Sequence, residues 1–311
     1  GGIDSSSIVS TTRYSNSDFE IKTFSYIDNN PKFSEEHWVD TLNEETRAYG
    51  HKIKTNHHEI QRDLDDLILA QGEPFGSTSI YAQYCVFKLL KKNKIIVSLD
   101  GQGADELLAG YAGYPGQRML SLIEEKGFLQ AHKFAMRWSK FPNRSYLLAW
   151  QFLCKILMPD MIYSFFRKLL GRDFKPKWLS ANYLQKHRVS FLEKREPLLK
   201  KNKGIRVKEA LLNALSLRGL PALLRHGDRN SMLFSIESRV PFLTIPIAEF
   251  LLSLPESYLI SDGGVTKNVF REAMKGIVPD YHLNRKDKIG FSTSEEQLLF
   301  SMKDVIRGWI K

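Results

Sequence analysis

Cysteine is scarce in this chain: two in 311 residues, Cys85 and Cys154. Both fall in apolar, helical-looking segments without metal-ligand spacing, so neither a disulfide framework nor a cysteine metal site is expected. Such usage points to a reducing compartment, the cytoplasm. No apolar run approaches the ~20 residues of a membrane span, and no secretory leader is expected. Low-complexity tracts and internal repeats are absent as well. So are zinc-finger, helix-turn-helix and RNP-like patterns. The formal charge of +10 is scattered through "KLLKKNK", "FRKLLGRDFKPK" and "KREPLLKKNK". Runs of that kind are solvated helix faces and ends, so no nucleic-acid partner is expected.

What is present is a soluble globular composition, 42% apolar and 26% charged, long enough for a sizeable core. The first third alternates strand and helix signals. "EIKTFSYI" (20–27) reads as a strand. In "FSEEHWVDTLNEETRAYG" Ser34 can cap a helix that Gly50 stops. "HKIKTNHHEI" (51–60) reads as a second strand, and "QRDLDDLILAQG" as a second helix. "SIYAQYCVFKLLKKN" (79–93) is a third helix, feeding the short apolar strand "KIIVSL" (94–99). Strands separated by helices imply an α/β fold, a parallel sheet flanked by helices, with ligands at the carboxyl ends of the strands. From about residue 117 onward helical periodicity dominates, so the carboxyl-terminal half is expected to be mostly helical. Within it, "MPDMIYSFFRKLLGRDFKPKW" has the composition of a membrane-surface helix but is expected to pack as core or lid. The eight histidines show no ligand spacing, and the His57–His58 pair cannot face one metal from a strand.

Two loops carry chemistry. "GGIDSSSIVS" (1–10) looks like the turn between a buried strand and a helix, with no strand before it. Paired glycines let backbone approach a ligand and form an anion nest, and serine hydroxyls stand at the start of a helix whose dipole favours phosphate. Asp4 repels phosphate unless a cation lies between them, which implies Mg²⁺. The Walker lysine is missing. By itself the stretch reads equally as a linker remnant with an Asp/Ser helix cap. The second loop, "IIVSLDGQGADELLAGYAGY" (95–114), runs from an apolar strand through glycines into an acidic helix start. In a parallel sheet it stands at the same edge as the first. It offers Asp105 and Glu106 opposite Asp4, enough oxygen ligands for magnesium on a pyrophosphate. The ligand order of an EF-hand is absent.

With these loops in view, the chain resembles the synthetase domain of glutamine-dependent asparagine synthetases, within the PP-loop ATP pyrophosphatase superfamily. "GGIDSS" is similar to the body of that family's Ser-Gly-Gly-x-Asp-Ser loop, and "DGQGADELLAGY" to its second signature. "DRNSMLFSIESRVPFL" (228–243) and "TKNVFREAMKGIVPDYHLNRKDKIGFSTS" (266–294) are similar to two further family segments, in the family's order. The resemblance covers nearly the whole chain. It implies an adenine-nucleotide α-hydrolase-like (HUP) sheet whose first strand is missing. It also implies a single synthetase domain over 1–311, with an α/β nucleotide-binding core (1–115) and a mostly helical part (116–311) completing the site.

The resemblance further implies a reaction: aspartate attacks the α-phosphate of ATP to give β-aspartyl-AMP and pyrophosphate, and ammonia displaces AMP. Gly1, Gly2, Ser5 and Ser6 would hold pyrophosphate, with Asp4 and Asp105 on Mg²⁺. Phe24, Ser25, Tyr26, Asp100 and Gly101 would border the nucleotide. Glu106 would support the metal or the acyl-acceptor side, and Lys288, preceded by Arg285, would neutralise charge developing at the α-phosphate. Lys286 is the alternative to Lys288. Asp228, Arg229, Glu237 and Arg239 are secondary candidates that read equally as a buried salt-bridged hinge, and Ser77 to Ser79 belong with the acyl-acceptor pocket. Two departures stand out. Gln102 occupies a position where well-known members carry Glu, which excludes acid/base work there. The glutaminase domain, which normally shares the polypeptide and supplies ammonia, is not represented. Half of the pyrophosphate loop's support is also missing, so this stretch alone is expected to have little or no activity. An enzyme adenylating another carboxylate and an inactive paralogue remain alternative readings, and a homodimer remains open.

Overall fold

A computed structural model of the chain describes residues 1–169, 180–189, 197–217, 219–285 and 295–310. Helix α1 (Ile3–Ser15) comes first, then strand β1 (Lys22–Tyr26), α2 (Glu36–Thr46) and β2 (Tyr49–Ile53). Helices α3 (His57–Gln71) and α4 (Ser79–Lys92) lead to β3 (Val97–Leu99) and the one-turn α5 (Ala104–Leu107). There follow α6 (Tyr114–Lys126), α7 (Phe128–Trp138), α8 (Tyr146–Leu157), α9 (Asp160–Leu169) and α10 (Ala181–Lys186). Next come α11 (Arg206–Ser216), α12 (Leu220–Leu233), β4 (Glu237–Arg239), α13 (Ile245–Ser253) and α14 (Glu256–Leu259). The last helices are α15 (Asn268–Ala273), α16 (Asp280–Leu283), α17 (Glu295–Ser301) and α18 (Lys303–Ile310).

The chain divides into two compact units. One takes Gly1–Gly110, Leu211–Pro255 and Lys267–Lys311, and the other takes Tyr111–Ala210 and Glu256–Thr266. In the first unit β1 pairs with β2 and β3 with β4, both in parallel. Among the described residues these are two separate two-stranded sheets rather than one continuous sheet. Helix α4 packs beneath the β1–β2 pair. Its Ile80, Tyr81, Tyr84 and Cys85 pack with Ile60 and Leu67 of α3, and its Phe87 and Leu90 pack with Ile236. Each such fully buried side chain contributes about 1.5–3 kcal/mol. Phe24 and Tyr26 of β1 lean on these same clusters, which ties the strands to the helix layer.

Local chemistry explains where the elements differ from the sequence reading. The second strand ends at Ile53 rather than 60, because Asn56 accepts from the His58 and Glu59 amides while the Glu59 side chain returns to the Asn56 amide. This reciprocal cap starts α3 at His57, so the His57–His58 pair lies on a helix, not a strand. Helix α2 stops at Arg47 in the left-handed region (φ 49°), and Gly50 belongs to β2. Ser34 does accept from the Glu36 amide at 3.3 Å. Strand β3 is shorter than 94–99, and its apolar residues are uncovered: Val97 is 40% exposed and Leu99 53%.

The second unit is helical. Ala131 and Ala135 of α7 and Ala149 of α8 are wholly buried, letting the backbones of this antiparallel set approach closely around Phe134 and Trp138. A Cβ at Gly116 would come within 2.9 Å of the Phe152 Cβ, so α6 and α8 touch there backbone to backbone. Helix α9 departs from the expected core packing, with Met161, Phe165 and Leu169 exposed. Its continuation at 170–179 lies outside the described residues.

Candidate active site

The site is built where α1 begins. Gly2 is its extended N-cap (φ −80°, ψ 161°), and the first intrahelical bond is Ser6 N–H to the Gly2 carbonyl at 3.0 Å. The turn ahead of Ser6 is therefore the helix's positive end, where N–H groups have no partner within the helix. A Cβ at Gly2 would meet nothing within 4 Å, so this turn borders open space. Ser5 is exposed and donates to the Gly2 carbonyl at 3.2 Å. Ser6 is fully buried, and its hydroxyl finds no partner among the described residues. Of the two serines, Ser5 alone presents its hydroxyl outward.

The second loop meets the first. Asp100, following β3, donates its amide to the Arg239 carbonyl at 2.8 Å, which fixes the start of the loop. Burial pushes the Asp100 carboxyl above its ordinary value, against the Gln102 and Gly101 amides that donate to it. A Cβ on Gly101 would lie 3.0 Å from the Asp4 Cβ and 3.2 Å from the Ser5 nitrogen, so only glycine lets the loops approach this closely. Asp105 and Glu106 then sit on α5, with Glu106 buried at 2% exposure.

The residue that joins the loops is Lys267, immediately before α15. Its backbone is left-handed (φ 55°) and its side chain is 4% exposed. The ammonium makes a close ion pair with Asp4 and stands 2.7 Å from the Asp105 carboxylate. A non-glycine residue in that conformation costs about 1 kcal/mol, and the surrounding contacts must hold it there. A Cβ on Gly110 would run into both the Asp105 carboxylate and the Lys267 side chain. Nearby, the half-buried Arg271 donates to the Leu283 carbonyl. Burial pushes its pKa down, and the Asp4 charge opposes that shift. Neither cation was singled out in the sequence, although "TKNVFREA" held the signal: a lysine and an arginine four residues apart after a turn.

The donor set fits magnesium. Mg²⁺ is held by one or two carboxylates together with substrate phosphate oxygens. Asp4 and Asp105 already converge on one cationic centre beside an open glycine turn. Among the described residues no group of three or more His, Cys, Asp or Glu side chains could hold a metal unaided. Phosphate oxygens would have to complete the shell.

The remaining candidates separate. Arg285 is brought to the site and donates to the Gly1 carbonyl at 2.8 Å. Lys288 and its alternative Lys286 lie outside the described residues. Phe24 stacks on His51 with centroids 4.8 Å apart, and the Tyr26 hydroxyl bonds Thr55 at 3.2 Å, so both serve the strand pair and its core; Ser25 sits between them on β1. Ser77 and Ser79 bond each other at 2.8 Å. Glu237 and Arg239 do form an ion pair, at 2.8 Å, but on an exposed strand rather than in a buried hinge.

Comparison with known proteins gives a consistent result. A family model described as Asparagine synthase matches residues 1–311. The chain is similar to Asparagine synthetase (glutamine-hydrolyzing) 1 of Bacillus subtilis (strain 168), 27% identical over 334 residues, covering 100% of this chain and 48% of the relative. It is also similar to Asparagine synthetase (glutamine-hydrolyzing) 3 of the same organism, 24% identical over 251 residues, covering 80% of this chain and 35% of the relative. The chain thus spans about half or less of the curated relatives it matches. Among the described residues no helix is long and apolar enough to cross a membrane.

Proposed function

Because the chain belongs to the asparagine synthase family, we propose that its first unit binds Mg·ATP between the Gly1–Ser6 turn and the 100–106 loop and activates a carboxylate for amidation. The observation that carries this reading is the convergence of Asp4, Lys267 and Asp105 at the head of a glycine turn. Buried charges held this close are costly unless paired. Their placement beside the positive end of α1 suits a polyphosphate better than it suits a core. Mg²⁺, when bound there, would neutralise the phosphate oxygens. Lys267 supplies a second positive charge, Gly2 and Ser5 donate N–H and O–H to the departing pyrophosphate, and Gly101 keeps the loops close enough to share it.

In the proposed reaction an oxygen of the aspartate carboxylate bonds to the α-phosphorus as the bond to pyrophosphate breaks. Ammonia then adds to the acyl carbon and AMP leaves with the bonding pair. Glu106, withdrawn from solvent, supports its neighbours, and the role of supplying cationic charge toward the α-phosphate is assigned to Lys288. The relatives are named as glutamine-hydrolysing. We assign the ammonia supply for this chain to a glutaminase outside residues 1–311. We also assign the uncovered apolar strand β3 to contact with a further strand that would unite the two small sheets. The low identity to those relatives, together with Gln102 in the acyl-side loop, favours one second reading: a carboxylate other than aspartate.

The test is pyrophosphate release from ATP with Mg²⁺, ammonia and a panel of carboxylates, using the polypeptide with its flanking segments. Release with aspartate supports the reading. Release only with another acid moves the substrate, and none with any acid rejects the function.

A further inference from the structure

The first peptide of the glycine turn is held from behind. The Arg285 guanidinium donates to the Gly1 carbonyl at 2.8 Å and pairs with the Glu35 carboxylate at 2.7 Å. Its plane lies over the Trp38 ring, 4.4 Å from the centroid, and Trp38 in turn stacks on Tyr281 at 4.4 Å. His282 donates to the Trp38 carbonyl at 2.9 Å, so the platform is itself tied down. Arg285 is buried, and Glu35 is 20% exposed. A Cβ at Gly1 would come 2.9 Å from the Glu35 Cβ, so the turn rests directly on the start of α2.

The peptide unit is planar and trans, so its carbonyl and the following N–H point in opposite directions. Anchoring the Gly1 carbonyl to Arg285 therefore aims the Gly2 N–H away from Arg285, at a residue whose Cβ position borders open space. A forked guanidinium can hold a carboxylate and a carbonyl at once, and an aromatic face beneath it restricts its rotation.

We propose that Glu35, Arg285 and Trp38 form a positioning latch that sets the direction of the Gly2 N–H, and with it the turn's affinity for a nucleotide polyphosphate. None of the three touches the nucleotide. The inference rests on the nucleotide reading above, and it makes Arg285 a positioning residue rather than a group acting on the α-phosphate.

The test compares Glu35→Gln and Trp38→Leu with the parent polypeptide. Two readouts are taken: amide exchange over Ser6 to Ser10 without ligand, and binding of inorganic pyrophosphate with Mg²⁺. The latch predicts exchange about tenfold faster at the start of α1, with α4 unchanged as the control for global unfolding. It also predicts pyrophosphate affinity about tenfold weaker, with affinity for the carboxylate substrate unmoved. A merely structural pair would shift both affinities or neither. If the parent binds pyrophosphate and both variants match it in exchange and affinity, the latch is overturned while the nucleotide reading stands. If the parent binds neither pyrophosphate nor ATP, both fall together.

Discussion

The second unit buries its charges differently from the first. Arg206 is forked between Glu124 at 2.8 Å and Glu209 at 2.8 Å, and it also donates to the Leu199 carbonyl. Glu256 takes the Val207 amide at 2.7 Å, the Lys208 amide at 3.2 Å and Arg118 at 3.4 Å. These groups are spent on backbone donors and guanidinium forks deep between helices. In the first unit Asp4 and Asp105 meet at one ammonium, and the space beside them is kept open by Gly2 and narrowed by Gly101. Carboxylates paired with a buried cation fix helices in one place and leave a receptive charge cluster in the other.

That contrast can be broken from either side. The largest effect is expected at the first cluster: Asp4→Asn or Lys267→Met should lower ATP-dependent pyrophosphate release by about 10³-fold, the scale of losing a main electrostatic contact to the reacting phosphate. Melting should barely move for Asp4→Asn, which leaves Lys267 paired with Asp105, whereas Lys267→Met strands both carboxylates and should also lower stability. Next, Arg206→Ala should cost about 3 kcal/mol in urea unfolding, since it strands buried Glu209 and Glu124. A catalytic loss from that variant at temperatures where it stays folded would blur the comparison. Smaller again, Gly110→Ala should cut activity about tenfold by pushing on Asp105 and Lys267, an overpacking cost of about 1–3 kcal/mol shared between fold and site.

The smallest effect is a pH dependence. Burial alone would raise Glu124, but the Arg206 hydrogen bonds, the Gly204 amide and the charges of Arg206 and Lys203 bring its carboxyl below the ordinary 4.5. A depressed acid contributes stability that is fully present above its unfolded value and is lost as pH falls through the folded one. Glu256 has the opposite sign: burial raises its carboxyl, so its contribution grows as pH falls toward 4.5. Melting curves of Glu124→Gln should therefore show a flatter acid limb than the parent, and an unchanged limb would remove Glu124 from the network.

Much of the first unit could be read from the sequence, because its signals are local. β-branched and aromatic runs gave β1, helical spacing gave α4, and glycines beside acids marked both loops. Element ends were less legible: the Asn56 cap outweighed a strand-like run, and Arg47 rather than Gly50 ended α2. Lys267, marked only by its spacing from Arg271, could not be assigned a role because its meaning comes from Asp4, 263 positions away. Arg285 was found, but its partners Glu35 and Trp38 were not, since a charged residue at a helix start ordinarily serves the dipole. The exposed apolar face of α9 likewise follows from tertiary placement, which periodicity cannot supply.

The central claim is that the Asp4–Lys267–Asp105 cluster receives the polyphosphate of ATP. Calorimetric titration of Mg·ATP into the parent and into Lys267→Met, with melting recorded for both, tests it most directly. The account predicts binding by the parent and at least tenfold weaker binding by the variant, measured at a temperature where both are folded. Equal affinity in the two folded proteins would contradict it.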